Sequence, residues 1–225
     1  MVAQPDYVLN FYLNGDENTP DPRYKQSFLM GPQISQTTGK VIVTAHGHDL
    51  VFTREVPPIP TEGTGALTPR SLPPIGWWDV EQHVGYRQGK WDYGTYIVNS
   101  QDNDVHLIRL ADIYLMKAEA LLRSGGSNAE ATSLLNAVRS RAWGNDSQNY
   151  AEATLQNIAL ERKLELAWEA WSRQDCIRFK TFQNARFWKE VTATNQSPHL
   201  LIFPIPRTAL ESNRALVQNP GYTGI

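Results

Sequence analysis

The sequence predicts a mainly α-helical protein whose scaffold carries a long loop-rich segment with short strands. Three observations lead there. Apolar residues recur at helical spacing from residue 105 onward. Before that point Pro57, Pro58, Pro60, Pro69, Pro73 and Pro74 gather in one segment. Proline removes a backbone donor and clashes with the preceding turn, so that segment is not regular helix. The composition, 41% hydrophobic and 20% charged over 225 residues, suffices for a packed core.

The elements follow in chain order. Residues 40–44, KVIVT, form a β-branched run, and residues 50–54 can pair with it across HGHD. From 57 to 76 the chain is rich in Pro, Gly and Thr, and an aromatic patch follows. So long an irregular stretch in a compact domain usually marks a functional loop region. The first long helix places Leu107, Leu110, Ala111, Tyr114, Leu115, Ala118, Leu121 and Leu122 on one face, with Arg109, Asp112, Lys117 and Glu119 off it. Gly125-Gly126 ends it, and Ser127 or Asn128 caps the next. That second helix carries Ala131, Leu134, Leu135, Val138 and Ala142 on one stripe, and Gly144-Asn145-Asp146 breaks it. Thr154 caps a third helix with the apolar face Leu160, Leu164, Ala167, Trp168 and Trp171. A fourth runs near 173–180, and a short one lies around 208–213.

The pair at 107–142 has the pattern of a single tetratricopeptide-type hairpin. One such unit cannot bury its own faces, so it is expected to pack on further helices. The chain divides into a loop-rich part, 1–105, and a helical scaffold, 106–225; one intertwined domain is equally compatible.

Charge and motifs exclude several classes. A net charge of −2 lacks the basic surplus of a nucleic-acid binder. Cys176 is the only cysteine, which leaves no disulfide framework and no Cys-based metal cluster. No apolar run approaches the ~18 residues of a membrane-spanning helix. The first residues do not read as a signal peptide. There is no P-loop, GxGxxG or GxSxG pattern. His46 and His48 have metal-ligand spacing but no third partner in view. The acidic loops 15–21 and 99–104 lack the calcium-hand spacing. No cofactor is expected; calcium is conceivable but unsupported.

The stretch ERKLELAWEAWSRQDCIRF, 161–179, is dense in charge. Glu161, Glu165 and Glu169 stack at i, i+4, i+8. Glycosidase carboxylates face each other across a sugar, ~5–10 Å apart, and stacking on one helix flank does not supply that. The better reading is a structural salt-bridge network of Arg162, Glu165, Glu169, Arg173, Asp175 and Arg178. In it Arg162 faces Glu165, Glu169 faces Arg173, and the third helix is joined to the fourth. Trp168 and Trp171 belong to the core.

The aromatic patch is the best functional candidate. Trp77, Trp78, Tyr86, Trp91 and Tyr93 sit beside Arg87 and other planar polar residues. Sugars present apolar CH faces and a rim of hydroxyls. Aromatic rings stack on the former, and planar polar groups bond the latter. Packing of this patch against the helices is the competing reading, and the residues alone leave both open.

Four pieces in order carry a family resemblance: DPRYKQSF (21–28), HLIRLADIYLMKAEALL (106–122) with LLNAVRSRA (134–142), ERKLELAWEAWSRQDCIRF (161–179) and FPIPRTALESNRALVQNPGY (203–222). Together they resemble the C-terminal portion of the SusD/RagB family. The resemblance is weakest over 29–95. It departs from the family's EGHRWFDL-like run where this chain has Glu169 to Cys176. It implies a non-catalytic, surface-exposed outer-membrane lipoprotein that binds glycans or, in some members, peptides. Such a protein rests on a TonB-dependent transporter of the SusC type and hands ligand to it. It also implies that this chain is the C-terminal portion of a longer protein whose signal and lipid anchor lie elsewhere. The expected partners are therefore an oligo- or polysaccharide and that transporter. The alternatives are a peptide- or protein-binding module and, less favoured, a glycoside hydrolase.

Overall fold

The computed structural model describes residues 2–3, 5–44, 47, 49–53, 85–91, 104–184 and 198–222. Its described elements are mostly helical. They fall into two compact units, Met1–Ser172 and Arg173–Ile225. The first unit combines the N-terminal segment with the long helices, so a boundary at residue 105 does not separate them. Ion pairs joining Arg23 to Glu161 and Glu165 are one physical reason.

Three helices, α3 (Leu110–Arg123), α4 (Asn128–Trp143) and α5 (Leu155–Glu165), form the scaffold of the first unit. Both predicted caps are present. The Ser127 hydroxyl accepts from the Glu130 N–H at 3.2 Å, and the Thr154 hydroxyl accepts from the Asn157 N–H at 3.1 Å. Each satisfies a backbone donor that the first turn leaves open. Helix α4 stops at Gly144, whose φ of 71° is costly for a residue with a Cβ. Leu115 and Ala118 of α3, Ala131, Leu135 and Val138 of α4 and Ile158 of α5 are buried. Helix α3 begins three residues later than its periodicity suggests, so Leu107 precedes it. Leu107 and Leu110 are exposed rather than packed.

The loop from α4 to α5 is stitched to α4. The Asn136 side chain exchanges two hydrogen bonds with the Tyr150 backbone, both at 2.9 Å. Arg139 lies over the Tyr150 ring at 4.5 Å, and burial pushes the Tyr150 phenol up to about 12.

The N-terminal segment supplies α1 (Pro5–Val8), α2 (Arg23–Ser27) and short strands. An antiparallel sheet orders β1 (Val2–Ala3), β5 (Tyr86–Gln88) and β2 (Phe28–Leu29), with β5 central. Arg87 stands opposite Val2 on one side and Leu29 on the other. A second pair joins β3 (Gly31–Pro32) to β4 (Val51–Phe52). The expected pairing of 40–44 with 50–54 is reduced to a bridge between Val43 and Asp49 and a hydrogen bond from the Leu50 N–H to the Ile42 carbonyl at 2.7 Å. Beneath the sheet lies an aromatic core of Val8, Phe11, Phe28, Tyr86, Leu164 and Ala167, with Tyr24, Leu160 and Trp168 against it. The Tyr7 hydroxyl donates to the Lys163 carbonyl at 2.7 Å, tying α1 to α5.

The third helix does not run on to Trp171. It ends at Glu165, and Trp168 and Ala170 then adopt φ of 67° and 64°. That left-handed turn costs an L-residue with a side chain roughly 1–2 kcal/mol. Trp168 still reaches the core, and its indole N–H donates to the Ser27 carbonyl at 2.7 Å.

The second unit contains α6 (Ser172–Arg178) from Arg173 onward and α7 (Arg207–Ser212), near the two predicted positions. Gln218 exchanges two hydrogen bonds with the Ile205 backbone, at 2.8 and 3.0 Å. The Tyr222 hydroxyl donates to the Ile202 carbonyl at 2.7 Å, and its ring meets His199 edge-on at 4.8 Å.

Candidate functional site

The carboxylates of the 161–169 stretch sit at the centre of a buried charge lattice. Glu161 and Glu165 project from α5 four residues apart, and Glu169 follows the left-handed turn. Their side chains are 0%, 3% and 1% exposed. Glu161 accepts from Arg23 at 2.6 Å and from Arg139 at 3.0 Å. Glu165 accepts from Arg23 at 3.1 Å, and from Arg109 and Arg141 at 2.8 Å each. Glu169 accepts from Arg109 at 2.8 Å and from Lys90. Arg23 also holds Asp21 through two bonds of 2.8 Å.

Burial pushes the Glu165 carboxyl up, but the Arg109 hydrogen bond and the charges of Arg141, Arg109 and Arg23 outweigh it. Its pKa therefore lies below the ordinary value. A general acid for glycoside cleavage needs a shift in the other direction. For Lys90 burial dominates over Glu169, and its ammonium is held below the usual lysine range.

A charge lattice is present, but it is not the predicted one: neither Arg162–Glu165 nor Glu169–Arg173 forms. Arg162 does not face Glu165. It donates instead to Asp112 of α3 at 2.6 Å. Both side chains are 1% exposed, and ions buried so deeply are stable only as a pair. Glu169 pairs with Lys90 and Arg109 instead of Arg173, because the turn at 166–170 breaks the i, i+4 register. Arg173 lies over Phe182 at 4.8 Å and Phe203 at 4.3 Å, and donates to the Leu200 carbonyl at 2.7 Å. Asp175 and Arg178 form a pair within α6, 2.7 Å apart. The cations at 23, 90, 109, 139 and 141 escaped the sequence reading. The usable signal was three acidic residues beside an apolar stripe, which demand cations from elsewhere once buried.

The predicted ligand residues separate. Trp77, Trp78 and Tyr93 lie outside the described residues, as do His46 and His48. Tyr86 is 1% exposed within the aromatic core. Its ring meets Phe28 at 5.8 Å, so it is a packing residue and not part of a surface. Arg87 lies over the Phe52 ring at 5.4 Å. Trp91 is half-buried; its indole N–H donates to the Trp168 carbonyl at 3.3 Å, and its ring meets His106 at 5.3 Å and 39°. His106 is exposed, and the sequence reading did not single it out.

The acidic loop at 15–21 is closed on itself. Asp16 accepts from the Asn18 backbone and side chain, both at 2.9 Å, and from the Thr19 hydroxyl at 2.7 Å. These bonds engage the Asp16 carboxylate within its own loop. Among the described residues no group of three or more His, Cys, Asp or Glu side chains could hold a metal ion. No described helix is long and apolar enough to cross a membrane.

The SusD family model matches residues 14–222. The starch-binding protein SusD of Bacteroides thetaiotaomicron is 34% identical over 126 residues, 54% of this chain and 22% of that protein. A laminarin-binding SusD-like protein of known structure is 36% identical, with a TM-score of 0.47; the likeness covers 61% of this chain and 29% of that one. A structure from Bacteroides vulgatus is 28% identical, with a TM-score of 0.48, over 61% and 33% of the two chains. The matched regions thus span a third or less of these relatives. The family model matches nearly the whole chain and includes Arg23, Arg109, Glu161, Glu165 and Glu169, so the chain belongs to the SusD family.

Proposed function

We propose that this chain is part of a nutrient-binding protein. It captures a glycan at the bacterial outer-membrane surface and passes it to a TonB-dependent transporter of the SusC type. Family membership over residues 14–222 carries this reading, and one relative that the chain resembles is a starch-binding protein. The mechanism is capture and release without bond cleavage. Glu161, Glu165 and Glu169 are buried and paired, and Glu165 is moved away from general-acid behaviour. Surface anchoring through a lipid on a longer protein fits the same reading.

The ligand face is assigned to the aromatic segment that includes Trp77, Trp78, Trp91 and Tyr93, with Arg87 at its border. Tyr86 is left out because it is core. A second reading, docking of a peptide or protein, has its own observation. Val105, Leu107, Ile108, Leu110, Ile113 and Met116 expose an apolar stripe along the start of α3.

The deciding experiment is affinity electrophoresis of the folded chain against soluble polysaccharides, with reducing-end assays alongside. Retardation without new reducing ends supports capture. A folded chain that no polysaccharide retards would overturn the glycan reading in favour of docking. Turnover abolished by Glu165→Gln would overturn the non-catalytic one.

A further inference from the structure

Two aromatic side chains from separate segments are held beside the same turn. Trp91 follows β5, and His106 precedes α3; their rings stand 5.3 Å apart at 39°. Lys90, the neighbour of Trp91, donates to the Glu165 carbonyl at 2.7 Å and to the Glu169 carboxylate. Arg109, three residues beyond His106, donates to the Glu165 carbonyl and carboxylate at 2.8 Å each and to Glu169 at 2.8 Å. The Trp91 indole is itself tied to the Trp168 carbonyl. Residues 165–169 therefore fix both segments that bring the rings together.

That turn is strained. Trp168 and Ala170 occupy left-handed conformations two residues apart. Backbone outliers persist only where surrounding contacts hold them, and they gather at binding sites. Among the contacts that hold this one are the bonds that clamp Lys90, Trp91 and Arg109.

We propose that Trp91 and His106 form a carbohydrate-contacting edge, with Glu169 as its positioning residue. This rests on the glycan reading and deepens it. In this edge the exposed part of the half-buried indole meets the CH side of a pyranose ring. The exposed imidazole carries a nitrogen donor and a nitrogen acceptor for the hydroxyls at that ring's rim. Clamping both rings before the ligand arrives lowers the entropy lost on binding. Glu169 touches no sugar; it acts through Lys90 and Arg109.

Soluble starch and laminarin are the probes, titrated against the whole chain and against His106→Ala, His106→Phe, Glu169→Gln and Glu169→Asp. Circular dichroism checks that each variant folds. His106 is exposed, so its replacement leaves the core intact. The expected result is binding weakened about ten-fold by His106→Ala. His106→Phe recovers the stacking share but not the hydrogen bonds. Glu169→Gln weakens binding, and Glu169→Asp restores most of it. Affinity for either polysaccharide that His106→Ala leaves within about two-fold overturns the edge while the glycan reading stands. Equal affinity of Glu169→Gln and the unaltered chain removes Glu169 from its role. If the folded chain binds neither polysaccharide, the edge fails together with the glycan reading for those sugars.

Discussion

Arg23 reaches Glu161 across 138 residues of sequence and holds it at 2.6 Å, with the arginine side chain 6% exposed and the glutamate fully buried. The same guanidinium holds Glu165 and Asp21. One cation therefore joins the N-terminal segment to α5. Removing one partner of a buried pair leaves the other charged and unsolvated. Arg23→Met is expected to cost about 3–5 kcal/mol, read from urea unfolding followed by circular dichroism. The double variant Arg23→Met/Glu161→Gln should recover part of that loss. A loss below about 1 kcal/mol would put the pair among weak surface bridges.

Glu165 makes acid stability predictable. Its folded pKa lies below the ordinary 4.5, so its ionised form stabilises the fold above that value. The contribution disappears as pH falls from 4.5 through the folded pKa. Melting temperature should therefore drop with acidification in that window. Glu165→Gln should start from a lower stability, because Arg109 and Arg141 lose a partner, and its acid slope should be shallower. Parallel melting curves for the two chains below pH 4.5 would contradict the assignment.

The turn after α5 predicts an unusual sign. Ala170 is exposed with φ of 64°, so Ala170→Gly relieves strain worth roughly 1–2 kcal/mol. Glycine also gives the unfolded chain more freedom, which offsets about 0.5–1 kcal/mol. The net change is neutral to stabilising. Ala120, exposed within α3, has no strain to relieve, and Ala120→Gly should cost about 1 kcal/mol. Chemical denaturation of both variants tests the contrast; equal losses would mean that Ala170 is not held left-handed.

In the second unit, Gly221 has φ of 91°, and a Cβ there would stand 2.5 Å from the His199 Cβ. Gly221→Ala must move His199 and break its contact with the Tyr222 ring, besides imposing a strained backbone. A local loss of at least about 1 kcal/mol is expected, seen as faster hydrogen exchange around residues 199–222. Unchanged exchange at the Tyr222 amide would refute the close approach.

The helices were legible because caps and periodicity are local. Ser127, Thr154 and Gly144 each act within four residues of their position, and the buried stripe of Leu115, Ala118, Ala131, Leu135 and Val138 follows directly from 3.6-residue spacing. The third helix was read too long for a physical reason. Its apolar pattern continues through Ala167 and Trp168, and both do reach the core, yet through a left-handed turn that periodicity cannot register. Tyr86 was misread because an aromatic residue in a polar, glycine-rich segment looks exposed until its strand is placed at the centre of a sheet.

By itself, then, the sequence determined the helical scaffold, its caps, the dense acidic stretch and the motifs of the SusD family, since each depends on residues close together in the chain. Which cations neutralise that stretch was decided only by the tertiary structure. Arg23, Lys90, Arg109, Arg139 and Arg141 come from separate segments, and nothing in local spacing links them to Glu161, Glu165 or Glu169. The meeting of Trp91 with His106 has the same origin. Burial in a low-dielectric interior makes every carboxylate find its counter-charge, and the chain's path in space selects which one.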